Sequence, residues 1–182
     1  MKKVDLSLFS NKWYNPGSTA KRIVWYIVNI VFFKCPLPYP NILKIKLLRM
    51  FGAKMSTGIV IKPDVNIKYP WFLEIGNNSW IGERVWIDNL AFVKIGKNVC
   101  ISQGAYLCTG NHNYKSESFD LLTGEIIIED GVWIGAKSII CPGVTLRSHS
   151  VITAGCIISD NTEPYTIYKT NETVEVKSRI IE

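Results

Sequence analysis

At 182 residues with 47% hydrophobic content, the chain can bury one domain core with a small appendage, and its five cysteines, odd in number and without a C-x-x-C pair, exclude a disulfide framework or a zinc ribbon. The net charge of +6 is unevenly spread: residues 1–54 hold ten Lys or Arg against Asp5 alone, and residues 55–182 hold eleven against fourteen acids. That cysteine usage suits a reducing cytoplasm, and neither the opening MKKVDLSLFS nor the longest apolar run, eleven residues at 23–33 interrupted by Asn29, reads as a secretory leader or a membrane span.

Residues 1–18 read as irregular and end in the turn-prone NPGS, where Ser18 or Thr19 is placed to cap a helix running to about Phe33. The prolines of CPLPYPN end it. Asn41 is then placed to cap a second helix, ILKIKLLRMFG, stopped by Gly52. This basic section, residues 1–54, is expected to cover the open end of the domain that follows, with peripheral membrane contact as a further expectation. No recognised nucleic-acid motif accompanies the charge, so nucleic acid is not an expected partner.

From residue 55 to 163 the periodicity is neither helical nor that of an ordinary strand. Ile or Leu recurs at 61, 67, 75, 81, 87, 95, 101 and 107, then at 128, 134, 140, 146, 152 and 158. Four residues after most of them stands a small or β-branched residue, such as Ser79, Val85, Val99, Ala105, Val132, Ser138, Val144, Ser150 and Cys156. A six-residue beat with two inward positions defines a parallel β-solenoid whose coils are triangular, three hexads to a turn. Gly76, Gly82, Gly96 and Gly135, directly after the aliphatic residue, are expected to give the corners a permissive φ. The step from Ile75 to Ile95 is 20 rather than 18, which reads as a bulge at Leu73-Glu74 and Val93-Lys94. Cys100, Cys108, Cys141 and Cys156 fall within the hexads as small core or corner residues. The beat stops after Leu107, and residues 111–125, NHNYKSESFDLLTGE, form an inserted loop, the place where solenoids carry binding sites. Residues 164–182 form a tail containing the β-like TVEVKSRII.

There are two histidines. His149 falls at an outward position of a regular hexad, as a surface side chain. His112 lies at the root of the insertion among Asn111, Asn113 and Tyr114, either as a general base, which imidazole suits near neutral pH, or as a hydrogen-bonding loop anchor. No metal is expected, since two histidines make a three-histidine site such as that of a γ-type carbonic anhydrase improbable in one chain.

The hexads, the loop CTGNHNY and the run IIIEDGVWIGAKSIICPGVTL resemble the hexapeptide-repeat acyltransferases, a left-handed parallel β-helix family that includes galactoside and maltose O-acetyltransferases. VDLSLFSNKWYNPG, KRIVWYIVN and LLRMFGAK resemble, more closely, acetyltransferases assigned to colanic acid biosynthesis. The resemblance implies an all-β, left-handed β-helix. It also implies acetyl-CoA as donor, a sugar hydroxyl as acceptor, and a homotrimer with active sites between neighbouring subunits. With the cysteine usage and the basic first section, the expectation is a cytoplasmic enzyme of surface polysaccharide assembly at the inner face of the membrane.

By the same resemblance His112 is the base, the Ala136 backbone N–H the oxyanion donor, and Trp133 a flank for the pantetheine arm, which Gly135, Ala136, Ala154 and Gly155 let lie close to the coil. Ser159 stands with Asp160 where relatives carry Thr-Lys, which leaves Lys169, Lys177 and Arg179 as the nearby cations for phosphate. Asp88 and Asn89, one coil below the loop, are expected at the acceptor together with Asp120, and Asp120 and Glu117, in the loop itself, are placed either to orient His112 or only to keep the loop soluble. Serine O-acetylation, amino-sugar N-acylation and a non-catalytic scaffold are the alternatives. Binding of acetyl-CoA separates the scaffold from the enzymes.

Overall fold

The structure, a computed structural model, describes residues 3–170. Its centre is a parallel β-helix with three faces. The first face stacks Lys54–Met55, Leu73–Ile75, Val93–Ile95, Ile126–Ile128 and Thr145–Leu146. The second stacks Val60–Ile61, Trp80–Ile81, Cys100–Ile101, Trp133–Ile134, Val151–Ile152 and Ile167–Tyr168. The third stacks Asn66–Ile67, Trp86–Asp88, Tyr106–Cys108, Ile139–Ile140 and Ile157–Ile158. The hexad aliphatics stand in columns because the ladders are in register, with Ile61 on Ile81, Ile101, Ile134 and Ile152. Every one of these columns is buried. Burying one such side chain stabilises by roughly 1.5–3 kcal/mol, so the columns carry the fold.

The corners work differently from the expectation. The left-handed φ falls three residues after the inward aliphatic, at Gly58, Asp64, Asn78, Arg84, Asn98, Gly104, Gly131, Lys137, Gly143, His149 and Gly155. Gly76, Gly82, Gly96 and Gly135 are not at positive φ. They are glycine because the next coil presses on them: a Cβ at Gly76 would lie 2.6 Å from the carbonyl of Gly96, and one at Gly135 would lie 2.5 Å from the Ala154 nitrogen. The extra pairs also differ from a bulge. Leu73 pairs with Val93 and Glu74 with Lys94 inside the ladder, so they lengthen the strand, and the added length is taken up in a wide corner between the third and first faces.

At the first coil the solenoid offers an open backbone edge, a hazard unless its groups are satisfied. The preceding helices satisfy them one by one. Helix α1 (Thr19–Phe32), capped by Ser18 Oγ accepting from the Lys21 N–H, sends Trp25 Nε1 to the Ile67 carbonyl at 2.8 Å, and its Asn29 side chain bonds Asn66 and the Ile67 N–H. Helix α2 (Asn41–Met50) does the same for the second face. Its Asn41 is not the cap, a position held by Pro40 without a side-chain bond; instead its amide donates to the Ile59 carbonyl and accepts from the Ile61 N–H. Lys44 Nζ donates to Ile61 O at 3.2 Å and Lys62 O at 3.0 Å, and Arg49 binds the Met55 carbonyl at 2.7 Å. Lys44 is only 1% exposed, and burial pushes its ammonium below the ordinary lysine value.

At the other end, Ile167–Tyr168 adds a strand to the second face beside Val151–Ile152. The β-like TVEVKSRII lies outside the described residues. No described helix is long and apolar enough to cross a membrane.

Replacing Lys44 with Met keeps the volume and removes the donors, leaving edge carbonyls unpaired. The expected loss is about 1–3 kcal/mol in urea denaturation. Lys62→Met, at an exposed side chain, should change stability by less than about 0.5 kcal/mol.

Candidate active site

The wide corner between the third and first faces builds the site. In the first two coils it spans residues 68–72 and 88–92, and in the third it becomes the insertion. Polar pegs hold it open. The Asn89 amide donates to the Tyr69 carbonyl at 2.6 Å and accepts from its N–H at 2.9 Å. Thr109 Oγ1 donates to the Asp88 carbonyl at 2.8 Å and accepts from the Ala91 N–H at 3.0 Å. Asn89 is therefore fully buried with both ends of its amide engaged, which corrects its expected place at the acceptor. Gly110 opens the insertion where a Cβ would sit 2.5 Å from Leu90 Cδ1.

From this root Gly110–His112 runs antiparallel to Leu121–Thr123, with His112 opposite Leu121. The tip is organised by Asp120, whose Oδ2 accepts from Ser116 Oγ at 3.1 Å and Ser118 Oγ at 2.7 Å while its carbonyl accepts from the Asn113 N–H. Asp120 does not reach His112. The orienting group is Phe119, a non-glycine residue held at φ 52°. Its carbonyl lies 2.9 Å from His112 Nδ1, and its ring stacks on the imidazole at 4.4 Å with the planes 5° apart. A carbonyl can only accept, so the neutral ring carries its proton on Nδ1 and leaves the Nε2 lone pair free. Nε2 has no hydrogen-bond partner among the described residues. Phe9 of the N-terminal segment approaches the same ring at 5.8 Å, and the Asp5 N–H donates to the Glu117 carbonyl.

One coil below, Asp88 is 8% exposed, ion-paired with Lys68 at 2.8 Å, and accepts from Tyr106 OH at 3.1 Å. Burial pushes the Tyr106 phenol far above the usual range, so it stays a neutral donor. The remaining expected residues are elsewhere. Trp133 lies on the second face beside Val151, and Gly135 and Ala136 follow at the corner between the second and third faces, stacked under Ala154 and Gly155, with the Gly155 N–H donating to the Ala136 carbonyl at 2.9 Å. Trp133 is half exposed, held edge-on by Nε1 donating to Ser102 Oγ, and the Ala136 N–H has no partner among the described residues. Space around a Cβ at Gly155 is open. Gly135 is fixed by the coil above it. Ser159 lies beyond the third face and donates to Asp160. Lys177 and Arg179 lie outside the described residues.

One chain thus does not bring its own His112 and Ala136 together: they stand at opposite edges of the third face. His149 sits at a left-handed corner with its ring stacked on Tyr165 at 4.8 Å, well away from the insertion. Sequence reasoning missed Phe119, Phe9 and Lys68. Lys68 had a readable signal, standing one 20-residue coil step before Asp88. The Phe119 carbonyl had none.

Along 180 residues, 97% of each chain, this sequence is 33% identical to WcaF of Escherichia coli K12, provisionally named a colanic acid biosynthesis acetyltransferase. The chain belongs to the hexapeptide-repeat acyltransferases. A model described as "Hexapeptide repeat of succinyl-transferase" matches residues 125–160. The galactoside O-acetyltransferase of E. coli K12 is 30% identical over 121 residues, 65% of this chain and 60% of that one. Among solved folds, a maltose O-acetyltransferase of Clostridium difficile 630 superposes with a TM-score of 0.73 at 22% identity, covering 90% of this chain and 88% of that one. A hexapeptide-repeat acetyltransferase of Vibrio cholerae O1 biovar eltor, solved with acetyl coenzyme A, gives 0.73 at 20%, covering 84% and 85%.

Nitrogen-15 NMR at pH above 8 should show His112 with its proton on Nδ1, against the ordinary Nε2–H preference for His149. A His112 proton on Nε2 would remove the free lone pair described above.

Proposed function

We propose that this hexapeptide-repeat acyltransferase transfers the acetyl group of acetyl-CoA to a sugar hydroxyl in surface polysaccharide assembly. The observation that carries the reading is the Phe119 carbonyl on His112 Nδ1, which fixes the ring and leaves Nε2 free. The names of the two E. coli relatives support the substrate class. Serine O-acetylation and amino-sugar N-acylation have no such support among them.

In this mechanism acetyl-CoA supplies the acetyl thioester. His112 Nε2 takes the hydroxyl proton as the sugar oxygen bonds to the thioester carbonyl carbon. A backbone N–H meets the developing oxyanion, and the one at Ala136 is unpartnered and flanked by small residues. When the C–S bond breaks, His112 returns its proton to the sulfur. Trp133, exposed beside the open ground at Ala154 and Gly155, gives the pantetheine arm a flat wall.

Since His112 and Ala136 occupy opposite edges of the third face, the site closes only when the Ala136 edge of one copy meets the His112 edge of the next. A cyclic homotrimer does this three times with one kind of contact. Light scattering should give three times the 20.6 kDa chain mass, and a monomer at assay concentration would sink the shared site.

The outer face of α1 is apolar, with Ile23, Val24, Tyr26, Ile27 and Ile30 exposed. We place it on the inner leaflet of the cytoplasmic membrane. Lys44 and Arg49 are engaged on the solenoid edge and Lys21 lies over the Trp71 ring at 4.3 Å, so among the described residues Lys3, Lys12, Lys34 and Lys46 are the lysines left for lipid. Vesicle flotation should be stronger with anionic than with neutral lipid; equal flotation would leave α1 as a cap alone.

His112→Ala should lower kcat about 10²- to 10⁴-fold, or about 3–5 kcal/mol of barrier, with acetyl-CoA affinity and melting temperature little changed. His149→Ala should change neither. A His112→Ala variant with wild-type kcat would refute the assignment.

A further inference from the structure

The N-terminal segment, α1 and the solenoid enclose two clefts of about 430 Å³ and about 450 Å³. Arg22, Lys68 and Tyr69 line both, so the two adjoin at these side chains and make a groove in two parts. One end reaches Phe9 and Leu121, the first against the His112 ring and the second its partner across the hairpin. The other end runs along Ile23 and Tyr26 of α1 and past Lys34.

Arg22 stands at the junction. Its half-buried guanidinium makes one hydrogen bond, Nη2 to Thr19 Oγ1 at 3.0 Å, and its Nε is buried without a partner. Among the described residues it forms no ion pair, whereas Arg84 and Arg147 each face a carboxylate and Arg49 binds backbone carbonyls. The one carboxylate lining the groove, Asp88, already faces Lys68 at 2.8 Å. The uncompensated charge of the groove is therefore positive. A guanidinium carries five donors in a fixed fork suited to phosphate, and withdrawing it from water without an anion is costly.

We propose that the acceptor sugar enters joined to a phosphate or diphosphate. Arg22 binds this anion at the junction, the sugar lies toward His112, and the group beyond the phosphate lies along Ile23 and Tyr26. The inference rests on the sugar O-acetyltransferase reading and narrows its acceptor to phosphate-linked sugars.

The test titrates inorganic pyrophosphate into full-length protein saturated with CoA, so that the pyrophosphate subsite of the donor is already filled. Calorimetry should show saturable binding, about 10- to 100-fold weaker in Arg22→Gln, with unchanged CoA affinity. Arg22→Lys, which keeps the charge without the fork, should fall between. UDP and geranyl diphosphate separate the two sources of a diphosphate, nucleotide and prenyl lipid, and whichever binds more tightly than pyrophosphate identifies the group beyond it. Absence of pyrophosphate binding to the wild type overturns the inference whether or not the variants fold. Equal binding to Arg22→Gln overturns the role of Arg22. If neither organic diphosphate exceeds pyrophosphate, the placement along Ile23 and Tyr26 is wrong. If CoA itself fails to bind, the acetyltransferase reading falls, and pyrophosphate titrated alone still reads the dependence on Arg22.

Discussion

Stacking of one coil's backbone on the next, at the roughly 4.8 Å spacing of paired strands, is the constraint from which the other features follow. It demands glycine after the inward aliphatic, where the neighbouring backbone leaves no room for a Cβ, and a left-handed residue two places later to turn the chain. Where the corner is two residues wider, the stack survives because Asn89 and Thr109 supply the missing hydrogen bonds from side chains. Only that reinforced corner tolerates the insertion. The hairpin bearing His112 is in this sense a product of the same spacing that stacks the isoleucines.

The charge asymmetry of the chain acquires a local cause. A first coil has open carbonyls, and the groups that meet them are donors: Trp25, Asn41, Lys44 and Arg49. Part of the basic character of residues 1–54 is thus an answer to backbone acceptors. Lys54 pairs with Glu74 and Lys21 lies over Trp71, so Lys3, Lys12, Lys34, Lys46 and Arg22 are the described cations of this section left to meet something outside the fold.

Much of the fold was legible because it repeats. Fourteen aliphatics on a six-residue beat specify columns, faces and the site of the insertion, and all of these stand in the structure. What failed were statements about single positions. Asn41 reads as a helix cap because Asn before an apolar run usually is one, yet the nearby strand edge offered it two partners instead of one. Asn89 carries the right groups for a sugar, and its own neighbouring corner uses both. His112 could be singled out by its setting, but the atom that fixes its tautomer is a main-chain oxygen seven residues away, and any residue type would have supplied it. Arg22 looked like one more cation in a basic stretch; that it forms no ion pair among the described residues is visible only in three dimensions.

The position of the edge-capping helices in the chain has a consequence for synthesis. Solenoid coils contact only their neighbours, so the array can grow by adding one turn to an existing end. Here the end that needs protection is the first, and α1 and α2 precede it, so the cap has left the ribosome before the strand edges it covers are made. Each later coil then finds a finished template beneath it. The hairpin bearing His112 is the last part of the third coil to emerge, arriving after Asp88, Asn89 and the N-terminal Phe9 are already in place to receive it.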